Sequence, residues 1–238
     1  MRFTAIDIET TGLGPEKEKI IEIGAVKYVD GVQTEVFSTL IHPQTAGIPA
    51  RITELTGITD DMVKDAPKEA EAMGSLLRFL DGEAVLLGHN VSFDYSFLKV
   101  AATRLGVTFE YRGLDTLAIA RACHPELPKK TLAAMCEAYE ITNEHAHRAY
   151  EDAHTAARLY FAMEERFGEK QADLFAPKPL FYKPKKTEPV TKRQIAYLQG
   201  IIAMHGLDLT PDYRTLTKSE ASRLIDTLLA RYGRSPQP

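Results

Sequence analysis

Asp7 and Glu9 stand two residues apart in the apolar run Phe3 to Leu13, FTAIDIETTGL. In a strand, the two-residue period aims both carboxylates at one face with Cα atoms roughly 6–7 Å apart. At that spacing both can hold one divalent cation and one can bridge to a second. Burying two acids without a counter-ion is very costly, so either they are solvated at a strand end or a cation compensates them. Three further candidates lie downstream. Asp94 falls in the first turn of an expected helix, where the helix dipole favours a carboxylate with or without a metal. His147 and Asp152 are five residues apart, which in a regular helix separates their directions by about 140°. They can share a site only if the helix starts near Ala149 or Tyr150 and His147 lies on the loop that leads into it.

The elements that must position these residues follow from apolar periodicity. Phe3, Ala5, Ile6 and Ile8 mark a buried strand, which ends in the turn-rich Thr10-Thr11-Gly12-Leu13-Gly14-Pro15. Ile20–Val29 and Val36–Ile41 read as strands joined around Asp30-Gly31, a strong hairpin signal. Residues 48–65 read as loop and short helix. Pro67 can open a helix to about Leu80, and Ala84–Leu87 is a short strand ending in Gly88-His89-Asn90. Helical spacing returns over Ser92–Leu105, Leu114–Ala122 and Thr131–Tyr139, the last with Thr131 as N-cap, and Asp115 is read as a helix cap. Strands first, then alternating helix and strand, predict an α/β domain with helices covering a mixed sheet.

At 238 residues, with 44% hydrophobic and 26% charged side chains, the chain suits a soluble globular protein of one ordinary domain plus a small one. No apolar run approaches the roughly 18 residues of a membrane span. The N-terminus has no signal-peptide pattern, so a cytoplasmic protein without a membrane partner is expected. Cys123 and Cys136 lack metal-ligand spacing and are expected to be reduced and structural. The net charge of −4 is divided unevenly: from Pro177 onward eleven Lys and Arg face five Asp and Glu, whereas the preceding residues carry a net −10. An acidic body suits a nucleic-acid protein if its acids hold metal ions, and a basic appendage can add affinity for a phosphate backbone.

Three motifs occur in order: Asp7-Ile8-Glu9-Thr10-Thr11-Gly12, His89-Asn90-Val91-Ser92-Phe93-Asp94, and His147-Arg148-Ala149-Tyr150-Glu151-Asp152. Through them the chain resembles the DEDDh group of 3′–5′ exonucleases over Arg2 to about Gly168, and within that group the proofreading subunits of bacterial replicative polymerases. The resemblance implies an RNase H-like fold and a two-metal phosphodiesterase that releases nucleoside 5′-monophosphates. It implies Asp7, Glu9 and Asp152 on one divalent ion, Asp7 and Asp94 on a second, and His147 as general base. Mg²⁺ or Mn²⁺ suits such an oxygen-rich shell. Thr10, Thr11, Gly12 and Leu13 would contact the terminal nucleotide, with Asn90 and Phe93 lining the same cleft. His89, His145 and His154 are read as supporting or surface residues. The expected partner is single-stranded DNA or a frayed primer 3′ end, in the company of a DNA polymerase; an RNA-processing exonuclease and a clamp- or DNA-binding adaptor are the alternatives.

The exonuclease domain is expected over residues 1–168, a Pro- and Lys-rich linker over 169–190, and a helical module over 191–234. Gln171, Leu174 and Phe175 in Gln171-Ala172-Asp173-Leu174-Phe175 resemble the bacterial sliding-clamp-binding pentapeptide, although the Leu-Phe pair can equally pack back on the domain. Thr191-Lys192-Arg193-Gln194 and Thr217-Lys218-Ser219-Glu220 fit capping boxes before two amphipathic helices. Such a hairpin is small for independent stability and is expected to dock on something.

Overall fold

The computed structural model describes residues 1–142, 147–185 and 188–234; the expectation for His145 falls outside them. Its centre is β1 (Arg2–Thr10), flanked by β2 (Ile20–Val29) and β4 (Val85–Gly88) in a six-stranded sheet of order β3-β2-β1-β4-β5-β6. β3 (Val32–Leu40) completes an antiparallel meander through a turn in which Asp30 and Gly31 both have positive φ, 49° and 82°. β4 and β5 (Arg112–Asp115) run parallel to β1, and the two-residue β6 (Lys178–Pro179) closes the far edge antiparallel.

The pleat of β1 divides the core in two. Ile6 and Ile8 enter a cluster with α3 (Glu69–Phe79) and α4 (Val91–Arg104), through Met73, Leu76, Tyr95 and Leu98. Phe3 and Ala5 enter the opposite cluster, with Ile119 of α5 (Thr116–Cys123), Met135 of α6 (Leu132–Ala138), and Leu159, Tyr160 and Met163 of α7 (Ala149–Phe167). Asp7 and Glu9 continue the Phe3–Ala5 side of the strand, toward α7. α7 comes close because Ala149, Ala153, Ala156 and Ala157 are its buried residues there. Gly24 of β2, the partner of Asp7 in register, allows the contact: a Cβ on it would lie 2.1 Å from the amide nitrogen of Tyr150.

Two short helices, α1 (Ala50–Thr56) and α2 (Asp60–Val63), cover the loop after β3. The structure corrects the sequence reading at three elements: β3 starts at Val32 and not Val36, β6 lies within the expected linker, and Leu114 and Asp115 end strand β5, so that the helix expected from Leu114 starts at Thr116. β5, four residues with a glycine, carries too little period to be seen. Asp115 caps α5 as expected, accepting from the amides of Leu117 and Ala118, and Thr131 caps α6 through the amide of Ala134.

The Pro- and Lys-rich stretch is extended but laid on the domain. Leu180 sits where Gly113 leaves room, at 2.6 Å from the position of an added Cβ, and Tyr182 donates to Glu16 at 2.8 Å. Beyond it, α8 (Lys192–Met204) and α9 (Lys218–Tyr232) form the hairpin, each opened by its predicted capping box, and bury Leu198, Ile201, Leu224 and Leu228 between them. Among the described residues no helix is long and apolar enough to cross a membrane.

Candidate active site

The site lies where the ladder between β1 and β4 stops. Pairing ends at Ala5 with Leu87, and the amide of Ile8, past that point, donates to Asp94 Oδ1 at 3.1 Å. Asp94 thus takes the place of a strand partner, which brings a residue from the α4 side to the edge of β1 between Asp7 and Glu9. Asn90, with φ 72°, turns the chain from β4 into α4; its amide donates to Asp115 Oδ1 at 3.0 Å, so the second motif is fastened to the cap of α5.

The third motif arrives from the other side of the sheet. α7 starts at Ala149, and His147 lies just before it in the left-handed region, φ 67°. Its amide donates to Asp152 Oδ2 at 2.9 Å. This is the geometry under which the five-residue spacing permits a shared site. One potential ligand atom from each of Glu9, His147 and Asp152 lies within 4.8 Å of the others. Asp94 and Asp152 are buried, Asp7 and Glu9 half-buried, and the His147 ring is exposed.

These acids repel one another. Burial, then Asp94, Asp152, Glu9 and Glu22 hold the Asp7 carboxyl well above the usual carboxylate range. Glu9 is pushed up to about 8, first by burial and then by Asp152, Glu22 and Asp94, with Arg148 opposing. Burial also raises Asp94 to about 8 against the hydrogen bond from the Ile8 amide. The donor set, converging oxygens with one imidazole and an unmet need for positive charge, fits divalent cations that favour oxygen.

Glu22 and Arg148 were not singled out in the sequence. Glu22, on β2 opposite Glu9, is 1% exposed; it accepts from Arg148 at 2.8 and 3.1 Å and from the amide of Ala149 at 3.1 Å. This pair ties the start of α7 to the sheet. The signal was available as an acid inside the mostly apolar IIEIGAVKYV.

The residues expected to meet the terminal nucleotide occupy one loop with unequal roles. Leu13 is 81% exposed, as a contact for a base requires. Thr10 and Thr11 are buried: Thr10 donates to the Gly12 carbonyl at 2.7 Å, and Thr11 donates to Glu18 at 2.7 Å, so their hydroxyls shape the loop. Gly12 leaves space for the Glu18 side chain, 2.9 Å from an added Cβ. Phe93 is half-buried against Phe97. His89 bonds Thr116 and the Lys130 carbonyl, and His154 bonds the Tyr28 hydroxyl, the supporting roles expected of both.

The clamp-like pentapeptide is placed differently from a free linear motif. Phe175 is 6% exposed, packed edge-on to Tyr160 at 5.8 Å, and Leu174 packs beside the same cluster. The reason is apolar: the pair closes the end of the α7 core, the outcome that the sequence left open for it.

Four carboxylates and an imidazole drawn from three stretches of chain gather at one end of β1, and three of them, Glu9, His147 and Asp152, stand close enough to share a metal ion. Residues 4–160 match the exonuclease family model of the RNase T type, and the chain belongs to that family. It is 43% identical over 167 residues to the PolC-type DNA polymerase III of Caldanaerobacter subterraneus subsp. tengcongensis, covering 70% of this chain. To that of Clostridium perfringens it is 40% identical over 157 residues, covering 66%. The chain spans only 12% and 11% of the length of these two relatives. Among solved structures, exonuclease X in complex with 5′-overhanging duplex DNA matches with TM-score 0.56 and 25% identity, covering 73% of this chain and 99% of that one. Escherichia coli exonuclease I in complex with a dA16 oligonucleotide shares the fold, with TM-score 0.64 and 20% identity over 73% of this chain and 42% of that one.

Proposed function

We propose that this protein is a metal-dependent 3′–5′ exonuclease that removes nucleoside 5′-monophosphates from DNA 3′ ends and edits for a bacterial DNA polymerase. The observation that carries the reading is the meeting of Glu9, His147 and Asp152, with Asp7 and Asp94 beside them, at the open end of the β1–β4 ladder. In this reading Asp7, Glu9 and Asp152 would hold one divalent ion, Mg²⁺ or Mn²⁺, and Asp7 with Asp94 would hold a second. When bound, such cations promote ionisation of the attacking water and stabilise the charge that develops on the phosphate and the leaving 3′ oxygen. His147 takes the proton of that water on a ring nitrogen, a task suited to imidazole near neutral pH. Water adds to phosphorus, the bond from phosphorus to the 3′ oxygen breaks, and a 5′-phosphate departs with the terminal nucleoside. Leu13 packs on that nucleotide's base, and Asn90 and Phe93 border the cleft.

The DNA assignment draws on the PolC-type relatives and on the DNA-bound exonucleases of like fold. The acids themselves cleave the linkage without reading the sugar, so the deciding assay offers matched 5′-labelled DNA and RNA, with a mispaired primer end, and Mg²⁺. A metal-dependent ladder on DNA, faster at the mispair and lost in Asp7→Ala and His147→Ala, supports editing, whereas preference for RNA replaces it with RNA processing. In cells, an Asp7→Ala strain with a normal mutation rate would leave the adaptor reading in its place. Clamp delivery through Gln171, Leu174 and Phe175 would require Phe175 to leave its packing against Tyr160. A clamp pull-down that survives Leu174→Ala with Phe175→Ala would remove that idea.

A further inference from the structure

The helical hairpin meets the exonuclease domain through charge and hydrogen bonds, and the contacts centre on one buried acid. Glu220, 5% exposed at the start of α9, accepts from Lys19 Nζ at 2.6 Å and from Arg104 at 2.8 Å. Arg104 in turn reaches Glu69 at 3.1 Å, so the acid and its partners form a network from α4 and α3 to α9. Gln44 donates to the Thr210 carbonyl at 3.0 Å on the same junction, which borders an open cleft of about 500 Å³ lined by Thr11, Lys19, Gly47, Glu220 and Arg223.

Lys19 is also the closing residue of the loop that begins at Thr11. The Thr11 amide donates to the Lys19 carbonyl at 2.8 Å, and the Lys19 amide donates to the Thr11 hydroxyl oxygen at 2.9 Å. These two bonds form the base of a loop in which Gly12 and the exposed Leu13 directly follow the first residue of that base. A residue 201 positions away therefore grips the base of that loop by a buried, charge-assisted hydrogen bond.

We propose that Glu220 is a positioning residue for substrate: through Lys19 it holds the Thr11–Lys19 loop so that Leu13 meets the terminal nucleotide, which makes the hairpin part of the substrate site. This rests on the exonuclease reading above only in taking Leu13 as the nucleotide contact. Without the link, Lys19 turns to water and the loop base loosens, while the carboxylates and His147 stay where β1, α4 and α7 hold them. Binding suffers and the chemical step does not.

The test uses the full chain as wild type, Lys19→Met and Glu220→Gln, with Lys218→Ala as a control in the hairpin, since the Lys218 ammonium pairs with the exposed Glu188, away from Lys19 and Arg104. Lys19→Met keeps Arg104 on Glu220, so it retains the docked hairpin, as a thermal melt will show. Substrates are a 5′-labelled single-stranded oligonucleotide and the p-nitrophenyl ester of thymidine 5′-monophosphate. The expected result for both loop-link variants is a KM raised roughly three- to tenfold on both substrates, the size of coupling through a packed network, with kcat within about twofold of wild type. Hydrogen exchange at the Thr11 and Lys19 amides should accelerate in the same variants and not in the control. Unchanged KM and exchange in a folded Lys19→Met overturn the proposal. So does a KM rise confined to the oligonucleotide, which would mean that the hairpin binds phosphates further along the strand. Wild-type protein that cleaves neither substrate counts against the exonuclease reading, and the exchange comparison then decides by itself whether Glu220 holds the loop.

Discussion

Two groups of acids withdrawn from water in this molecule behave in opposite ways. At the end of β1, Asp7, Glu9 and Asp94 crowd together, and their carboxyls are held far above the usual range. At the junction with the hairpin, burial works against the charge of Glu220 too, but Lys19 and Arg104 outweigh it and bring the carboxyl down to about 2. The same side-chain chemistry, similarly withdrawn from water, is thus completed from within at the junction and left to be completed from outside at the catalytic end. A self-sufficient ionic cluster fastens two parts of the chain, whereas a deficient one is left with unmet negative charge that cations would neutralise.

The comparison breaks most visibly at Asp7. Asp7→Asn should lower exonuclease activity by more than roughly a hundredfold, because even outer-shell partners of metal ligands cost up to about that much. In the metal-free protein at pH 8 the same change should raise the melting temperature, since it removes a repelled charge. An equal loss of both activity and stability would show that Asp7 is an ordinary structural acid. At the junction the sign reverses: Glu220→Ala leaves Arg104 and Lys19 without their shared acid and should cost about 3–5 kcal/mol in denaturant unfolding, as for a broken buried pair. A smaller change belongs to neither cluster. Gly24→Ala forces its methyl group against the start of α7 and should cost about 1–3 kcal/mol, with a loss of activity because Asp152 and His147 ride on that segment.

The division between the two clusters also decides what could be read from the sequence. Asp7 and Glu9 stood out by strand period alone, whereas Asp94, His147 and Asp152 were single candidates at helix starts that only the three ordered motifs, through the family resemblance, joined into one site. The helix caps of the hairpin were legible as local patterns of four residues. What was not legible is the second use of Glu220, because its partners Lys19 and Arg104 lie 201 and 116 residues away and no local period links them. β6 and the seat of Leu180 on Gly113 were hidden likewise, since a proline- and lysine-rich stretch states extension and says nothing of what it lies against. Phe175 shows the converse: a five-residue pattern suggests a partner, whereas its burial depends on Tyr160, which the pattern does not contain.

The smallest expected effect sharpens the contrast by pH. Acids whose carboxyls are raised in the folded protein stabilise it while protonated, fully so below their unfolded values near 4, and this contribution is lost as pH rises through about 8. Metal-free protein should therefore melt roughly 2–4 °C lower at pH 8 than at pH 6, the shift expected for about 1 kcal/mol in a chain of this size. Added Mn²⁺ should abolish the difference, because cations replace the protons and neutralise the same oxygens. Glu220 titrates with the other sign. Its stabilisation is full above 4.5 and is lost as pH falls toward 2, so acid should loosen the hairpin while relieving the catalytic end. Scanning calorimetry with and without Mn²⁺ across pH 3–8 measures both. A melting temperature that falls at low pH in wild type, and less so in Glu220→Gln, would locate the acid-sensitive contact at the junction, whereas identical acid profiles would place it elsewhere.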